Sequence, residues 1–236
     1  MPLDIASLFT DLAFLPALSF LILTWILLHR ALAKLKPLRY KLISFSVLFI
    51  LLFWLAAVVI LSKQGIFAIN PIVAPFIMIG FILLFAFLQK VYASKTAQAI
   101  TAAMPMHWLI AIQTYRIVGV AFFFLWAQGV LPAAFAFPAG IGDILVGLSA
   151  PIVAYLYYRK KPYANKLAIW WNILGIVDLI IALGTGILGF PRPIQTLPVS
   201  PSTEAMSLYP LALVSLFSVP LALLLHALGI KVLRKK

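Results

Sequence analysis

Stretches of about 20 apolar residues alternate with short polar segments along the whole chain. Each stretch is long enough to cross the ~30 Å hydrocarbon core of a bilayer as a helix. None shows the alternating pattern of an outer-membrane β-strand, and lipid offers no partner for unpaired backbone groups, so each is predicted to be helical. The sequence therefore predicts an all-α polytopic membrane bundle, a single transmembrane domain over residues 1–236. Its seven predicted spans lie near 12–29, 42–62, 66–88, 107–128, 135–158, 167–189 and 207–229.

The basic residues indicate how these helices are oriented. Fifteen lysines and arginines lie between spans 1 and 2, 3 and 4, 5 and 6, or after span 7, whereas only Lys63 and Arg192 fall on the opposite side. Because short cytoplasmic loops carry an excess of Lys and Arg, this asymmetry predicts an outside N-terminus and a cytoplasmic C-terminus. That orientation requires an odd number of spans, which agrees with seven.

Composition supports the membrane assignment and excludes several other classes. The 236 residues are 65% hydrophobic and 10% charged, with a mean hydropathy of +1.14, far from the usage of soluble domains. The net charge of +13 lies in clusters between apolar stretches, so we attribute it to topology and predict no nucleic-acid partner. Without cysteine there is no disulfide, thiol nucleophile or thiolate metal site.

Spans 4, 5 and 6 carry polar residues at positions that share one helix face. Measured at ~1.5 Å per residue, Arg116 and Asp178 fall near the membrane midplane and Asp143 roughly 6 Å toward the outside. One arginine is then able to reach both carboxylates. Ionisable residues at this depth are costly and mark functional sites, although pairing lowers the cost. The candidate substrate or ion site consists of Gln113, Arg116, Asp143, Gly147, Asn172 and Asp178.

Span 5 has further unusual features. Gly140, Gly142 and Gly147 permit close helix packing, so we expect span 5 to lie inside the bundle. Pro151 lacks an N–H and should leave the carbonyl of Gly147 without its helical partner, one turn from Asp143. A carboxylate, a freed carbonyl and an arginine could hold a cation, pass a proton, or form a purely structural network.

Three histidines are predicted at the cytoplasmic ends of spans 1, 4 and 7, namely His29, His107 and His226. Their spacing forms no ligand motif and no thiolate or carboxylate accompanies them. We therefore predict neither haem nor a metal site, and no other cofactor. His226 remains a weaker candidate for the polar site.

The second half of the chain resembles a family of uncharacterised bacterial multi-spanning inner-membrane proteins. The resemblance rests on Q-x-x-R at Gln113 and Arg116, G-x-L-P at 129–132, G-D-I-L-V-G-L-S-A-P at 142–151, W-N-I-L-G at 171–175, and Val219-Pro220 followed by His226. It implies a multi-pass protein of the bacterial inner membrane. It also implies that Gln113, Arg116, Asp143, Asn172 and His226 are family positions, and it implies no activity.

The hypothesis that we favour is a small transporter or permease-like protein with a buried Arg/Asp site for a proton, a cation or a small molecule. One alternative is a non-catalytic membrane scaffold or accessory subunit whose charges are structural, with homo-oligomerisation left open. A second is an intramembrane lipid-modifying enzyme. It is disfavoured because Asp143 in the outer half and His226 at the inner interface are too far apart for the ~3 Å reach of an acid–base pair. A cavity touching Arg116 and Asp143 would favour transport, and a dry, fully paired triad would favour the scaffold.

Overall fold

The computed structural model describes residues 14–33, 38–69, 103–191 and 195–234. Regular structure within these ranges is helical, with seven helices and one short 3₁₀ turn at Glu204–Ser207. The helices are α1 (Leu15–Ala33), α2 (Leu38–Lys63), α3 (Ile66–Ile69), α4 (Met106–Ala127), α5 (Ala133–Tyr158), α6 (Ala164–Leu188) and α7 (Val214–Leu233).

Six of these helices, all but α3, are long and apolar enough to cross a membrane. They fall on six of the seven predicted spans. The remaining span, 66–88, begins at α3 and otherwise lies outside the described residues. Span 7 was predicted to begin at 207, but residues 208–211 form a bend and a turn, so helical structure begins only at 212, just before α7.

Two helices are not uniformly α-helical, which the apolar pattern did not predict. The middle of α4, Ile112–Val120, is a 3₁₀ helix between two α-helical segments. The first five residues of α7, Val214–Ser218, form a π-helix. Pro220 follows the π segment, and its missing N–H removes the α-helical bond to the carbonyl of Leu216, which favours a wider turn there. In α4 the β-branched residues Ile112, Thr114, Ile117, Val118 and Val120 weaken the preference for a regular α-helix.

Helix α4, which carries Gln113 and Arg116, contacts α1, α5 and α7. Helix α5 packs against α4 and α6, while α7 packs against α6 and the first segment of α4. Helices α1 and α2 pair with each other; α1 contacts the 3₁₀ segment of α4, and both reach the π segment of α7. Buried apolar residues, including Phe20, Ile110 and Phe217, fill the centre.

Helix α5 has two different faces. Ala139, Gly140, Val146, Gly147 and Ala150 are buried against neighbouring helices. Ile141, Leu145, Leu148 and Ile152, which recur at helical spacing on the other side, are exposed. The expectation that span 5 lies inside the bundle is therefore wrong for half of its surface. Its small residues form one stripe, so a single buried face accommodates them and large apolar residues cover the other face.

Candidate functional site

Arg116, which is 2% exposed, lies at the centre of a cluster of polar side chains from four helices. Its Nε atom donates to Oδ1 of Asp143 on α5 at 2.7 Å. Its Nη2 atom donates to Oδ2 of Asp178 on α6. The arginine thus does reach both carboxylates, and the ion pairs join α4 to α5 and to α6.

His226 also belongs to this cluster, which corrects its predicted position at the cytoplasmic end of span 7. Its side chain is fully buried, and its Nε2 atom lies 3.3 Å from Nη1 of Arg116. Helix α7 continues to Leu233, so His226 is about 10 Å from the helix end at ~1.5 Å per residue. The predicted span ended at residue 229, and that early boundary is why the sequence placed the histidine too near the interface.

The hydrogen bonds fix the tautomer of His226. Arginine only donates, so Nε2 accepts from Arg116 and carries no proton. The Nδ1 atom lies 3.0 Å from Oδ1 of Asn172, and Nδ2 of Asn172 donates to the carbonyl of Ala168 at 2.7 Å. This second bond orients the amide so that its oxygen accepts from Nδ1–H. The histidine is therefore neutral, with both ring nitrogens engaged.

Glycines of neighbouring helices make the space that the polar side chains occupy. A Cβ added at any of these glycines would overlap the polar side chain that faces it. An alanine could not avoid the overlap by rotating its side chain, since the Cβ position is set by the backbone. The pairs are Gly119 with Asp143, Gly142 with Asp178, Gly175 with His226, and Gly229 with Asn172. The sequence indicates Gly142 as a packing glycine and includes Gly175 in the W-N-I-L-G motif, but it offers no reason to select Gly119 and Gly229.

Gly147 permits close helix packing, as the sequence predicted. A Cβ there would lie 2.7 Å from the backbone nitrogen of Ile117, so this glycine permits α5 to approach the backbone of α4. It lines neither of the two cavities described below. Its observed contact is therefore helix packing beside the cluster.

Gln113 is buried, at 1% exposure, on the same face of α4 as Arg116. With three residues per turn in the 3₁₀ segment, Gln113, Arg116 and Gly119 lie in one row. Within the described parts of the chain, neither the amide oxygen nor the amide nitrogen of Gln113 has a hydrogen-bond partner. The structure thus places Gln113 next to the cluster along the helix without bonding it to the other members.

Asp143 and Arg116 line a cavity of about 400 Å³ between α1, α4 and the start of α7. Its walls are mostly apolar, and among the described residues Tyr115 and Ser218 are the other polar side chains that line it. A second cavity of about 70 Å³ also borders Asp143, on the side of Phe135 and Met206. Asp143 is the more exposed of the two carboxylates, at 15% of its side chain.

Only one of the two oxygens of Asp143 is paired. Oδ1 accepts from Arg116, whereas Oδ2 receives no hydrogen bond from the part of the chain that the structure describes. With both carboxylates ionised and His226 neutral, the cluster has two negative groups and one positive group. Oδ1 of Asp178 likewise receives no hydrogen bond from the described residues, so the pairing of the triad is incomplete in charge and in hydrogen bonds at both carboxylates. Of the two residues, Asp143 is the one that borders both cavities.

The other two histidines lie apart from this cluster. His29 is 3.1 Å from the hydroxyl of Ser44, which links α1 to α2. His107 lies beside the rings of Trp108 and Tyr158. Among the described residues no three His, Asp or Glu side chains gather where they could hold a metal ion.

Residues 71–234 match the model of a protein family described as a domain of unknown function, DUF8737. The chain belongs to this family. The matched region contains α4 to α7 and every polar residue of the cluster, whereas α1 and α2 precede it. No curated protein and no solved structure matches the chain.

Proposed function

We propose that this member of the DUF8737 family is a small membrane transporter that moves protons or cations by way of Asp143. The observation that carries the proposal is the 400 Å³ cavity bordered by Asp143 and Arg116. A buried carboxylate with one unpaired oxygen at the wall of a cavity is able to accept a proton or a cation, which a fully paired structural triad is not. In transporters such sites commonly lie near the middle of the membrane.

Arg116 has a supporting role in this proposal. It is almost completely buried and its guanidinium contacts Asp143, Asp178 and His226, so it fixes the carboxylates in place. Asp178 also pairs with Arg116, so the positive charge of the arginine is shared. Asp143 is therefore less completely neutralised than it would be in an isolated Arg–Asp pair. Asn172 and His226 complete the shell that holds the arginine, and Gln113 offers an unpaired amide one turn away.

The scaffold alternative rests on the same contacts. The cluster ties together α4, α5, α6 and α7, and such a network could serve to fix helix packing alone. It does not account for the cavity beside Asp143. An intramembrane enzyme has less support, because both nitrogens of His226 are engaged by Arg116 and Asn172 and neither is free to act as a base.

We further propose that the protein lies in the bacterial inner membrane with its N-terminus outside. Under this orientation the cavity is in the outer half of the bilayer, since it is lined by Pro16 and Ala17 at the start of α1 and by Pro210 and Leu211 before α7. The fifteen basic residues on the opposite side support this orientation.

Flux across reconstituted vesicles tests the proposal. Purified protein is placed in proteoliposomes, and a pH-sensitive dye inside reports proton entry under an imposed membrane potential, with Na⁺ and K⁺ entry measured in parallel. We expect flux of at least one of these ions above that of protein-free liposomes. Asp143→Asn should lose it because the neutral amide cannot take up a proton or balance a cation.

Glu204→Gln is the matched control, since it removes a carboxylate that is exposed and outside the cluster. This variant should retain wild-type flux. Size-exclusion chromatography shows whether each variant keeps the folded form. Wild-type flux equal to that of protein-free liposomes, or equal flux in folded Asp143→Asn, would overturn the proposal.

A further inference from the structure

We propose that the cavity beside Asp143 binds lipophilic organic cations, molecules with an apolar body and one positive centre. The inference deepens the proposed function and takes from it that this cavity is the substrate site. It specifies which class of cation the site accepts.

Charge selects for a cation. The cluster has one carboxylate more than it has cations. Each carboxylate has one oxygen without a hydrogen bond from the described residues, and Asp143 is the one of the two that borders the cavity. Arg116 also lines the cavity, but its single positive charge is shared between Asp143 and Asp178, so it does not neutralise both carboxylates. An uncompensated negative charge in an apolar site is costly, and a bound positive centre removes that cost.

The walls select against strongly hydrated metal ions. A metal cation such as Ca²⁺ needs about six to eight oxygen ligands in place of its hydration shell. Apart from Asp143, the side chains of the described residues that offer oxygen to this cavity are the hydroxyls of Tyr115 and Ser218. Tyr115 lies 3.4 Å from the carbonyl of Ser218, so its hydroxyl is partly engaged. A strongly hydrated ion would lose its water without enough replacement ligands.

The same walls suit an organic body. Phe122 and Tyr115 contribute aromatic rings, and Pro16, Leu179 and Leu211 contribute aliphatic surface. Aromatic rings attract organic cations, especially those whose charge is spread over carbon substituents. The volume of about 400 Å³ lies within the ~300–1,000 Å³ range of small-molecule pockets. Val118, which lines the cavity and is 46% exposed, marks where it meets the surface of the bundle, so a lipophilic molecule could enter from the bilayer.

Equilibrium binding with a pair of probes of similar shape and opposite charge tests the inference. Radiolabelled tetraphenylphosphonium and tetraphenylborate are each dialysed against the purified full-length protein in detergent. We expect saturable binding of the phosphonium and none of the borate. Asp143→Asn should weaken phosphonium binding about tenfold or more, as the loss of a buried charge partner commonly does.

A second variant tests the cavity without changing any charge. Ala121 lines the cavity, so Ala121→Trp should fill it and also weaken phosphonium binding about tenfold or more. Ala127→Trp makes the same substitution at an exposed position of α4 outside the cavity, and it should leave binding unchanged. The inference is overturned if the phosphonium does not bind saturably, if the borate binds equally well, or if neither Asp143→Asn nor Ala121→Trp weakens binding.

The outcomes separate this inference from the proposed function. Phosphonium binding that depends on Asp143, together with no flux of protons, inorganic cations or the phosphonium in proteoliposomes, would support the ligand class and overturn transport. Asp143-dependent flux of protons or inorganic cations with no phosphonium binding would support transport and overturn the ligand class.

Discussion

Helices α1 and α2 use their buried polar side chains differently from helices α4 to α7. In the first pair, the hydroxyl of Thr24 donates to the carbonyl of Phe20 and that of Ser62 donates to the carbonyl of Val59, each within its own helix. Buried Ser44 bonds across the two helices, to His29, and forms a pair rather than a network. In α4 to α7, polar side chains bond mainly across helices, around Arg116. A hydroxyl that donates to its own helix keeps its hydrogen bond whichever apolar side chain packs beside it. A cross-helix network is satisfied only in one arrangement of its helices.

The arrangement of α1 and α2 is therefore set mainly by apolar contacts, whereas the arrangement of α4 to α7 is set by hydrogen bonds and ion pairs between helices. The family match follows the same division, since it covers α4 to α7 and begins after α2. Helix α1 still contributes Pro16 and Ala17 to the wall of the larger cavity. We infer that α1 helps to enclose the site, whereas α4 to α7 supply its chemistry.

Replacement of Arg116 should cause the largest loss of stability. Arg116→Met keeps the length and apolar stem but leaves two carboxylates unpaired in a buried site, at a cost of ~3–5 kcal/mol in the free energy of unfolding. Thr24→Val in α1 should cost less than ~1.5 kcal/mol, because it removes one hydrogen bond whose acceptor remains helical. Chemical unfolding in detergent micelles measures both. Equal losses would contradict the division into two parts.

The glycines that face polar side chains should be the next most sensitive positions. Gly142→Ala places a methyl group against the Asp178 carboxylate, which should cost ~1–3 kcal/mol through displaced side chains or backbone. Gly184→Ala on α6 is the control: nothing lies within 4 Å of its Cβ, so the change should stabilise the helix by up to ~1 kcal/mol. Thermal denaturation of the two variants should shift in opposite directions. A shift in the same direction would show that Gly142 is not a tight contact.

Two hydrogen-bonded pairs, each with one histidine, allow a direct comparison of α1 and α2 with α4 to α7. A double-mutant cycle with Asn172→Leu and His226→Phe should give a coupling of ~0.5–3 kcal/mol, since both partners are buried and fix each other's orientation. The cycle with Ser44→Ala and His29→Phe should give a smaller coupling, because His29 is only half-buried and has other ways to satisfy its ring nitrogen. Unfolding free energies of the single and double variants supply both values. A larger coupling in α1 and α2 would reverse the conclusion.

Gln113 should show the smallest effect, and with the opposite sign. Leucine at this position removes a buried amide that has no hydrogen-bond partner among the described residues, so Gln113→Leu should stabilise the protein by about 1 kcal/mol. If Gln113 serves the proposed substrate path, ion flux falls while stability rises. A loss of stability would instead show that the amide is bonded in the folded protein.

Much of the architecture was predictable because lipid restricts the choice. Six long helices lie on predicted spans, and the spacing of Gln113, Arg116, Asn172 and Asp178 correctly indicated buried positions. The 3₁₀ and π segments were not predictable from hydropathy, which does not distinguish helix types. The exposed face of α5 was also missed, because the prediction rested on the glycines and the carboxylate, which indicate burial of only one face of the helix.

The sequence by itself determined the helical class, most of the spans and the residues that must avoid lipid, because each follows from the length and polarity of a local segment. The tertiary structure alone decided that His226 joins Arg116, that Gly119 and Gly229 make room for Asp143 and Asn172, and that Asp143 keeps an unpaired oxygen beside a cavity. Those features depend on how far one helix is shifted and rotated against the next. A shift of one turn, ~5.4 Å, would separate all of these contacts while leaving the hydrophobic pattern unchanged.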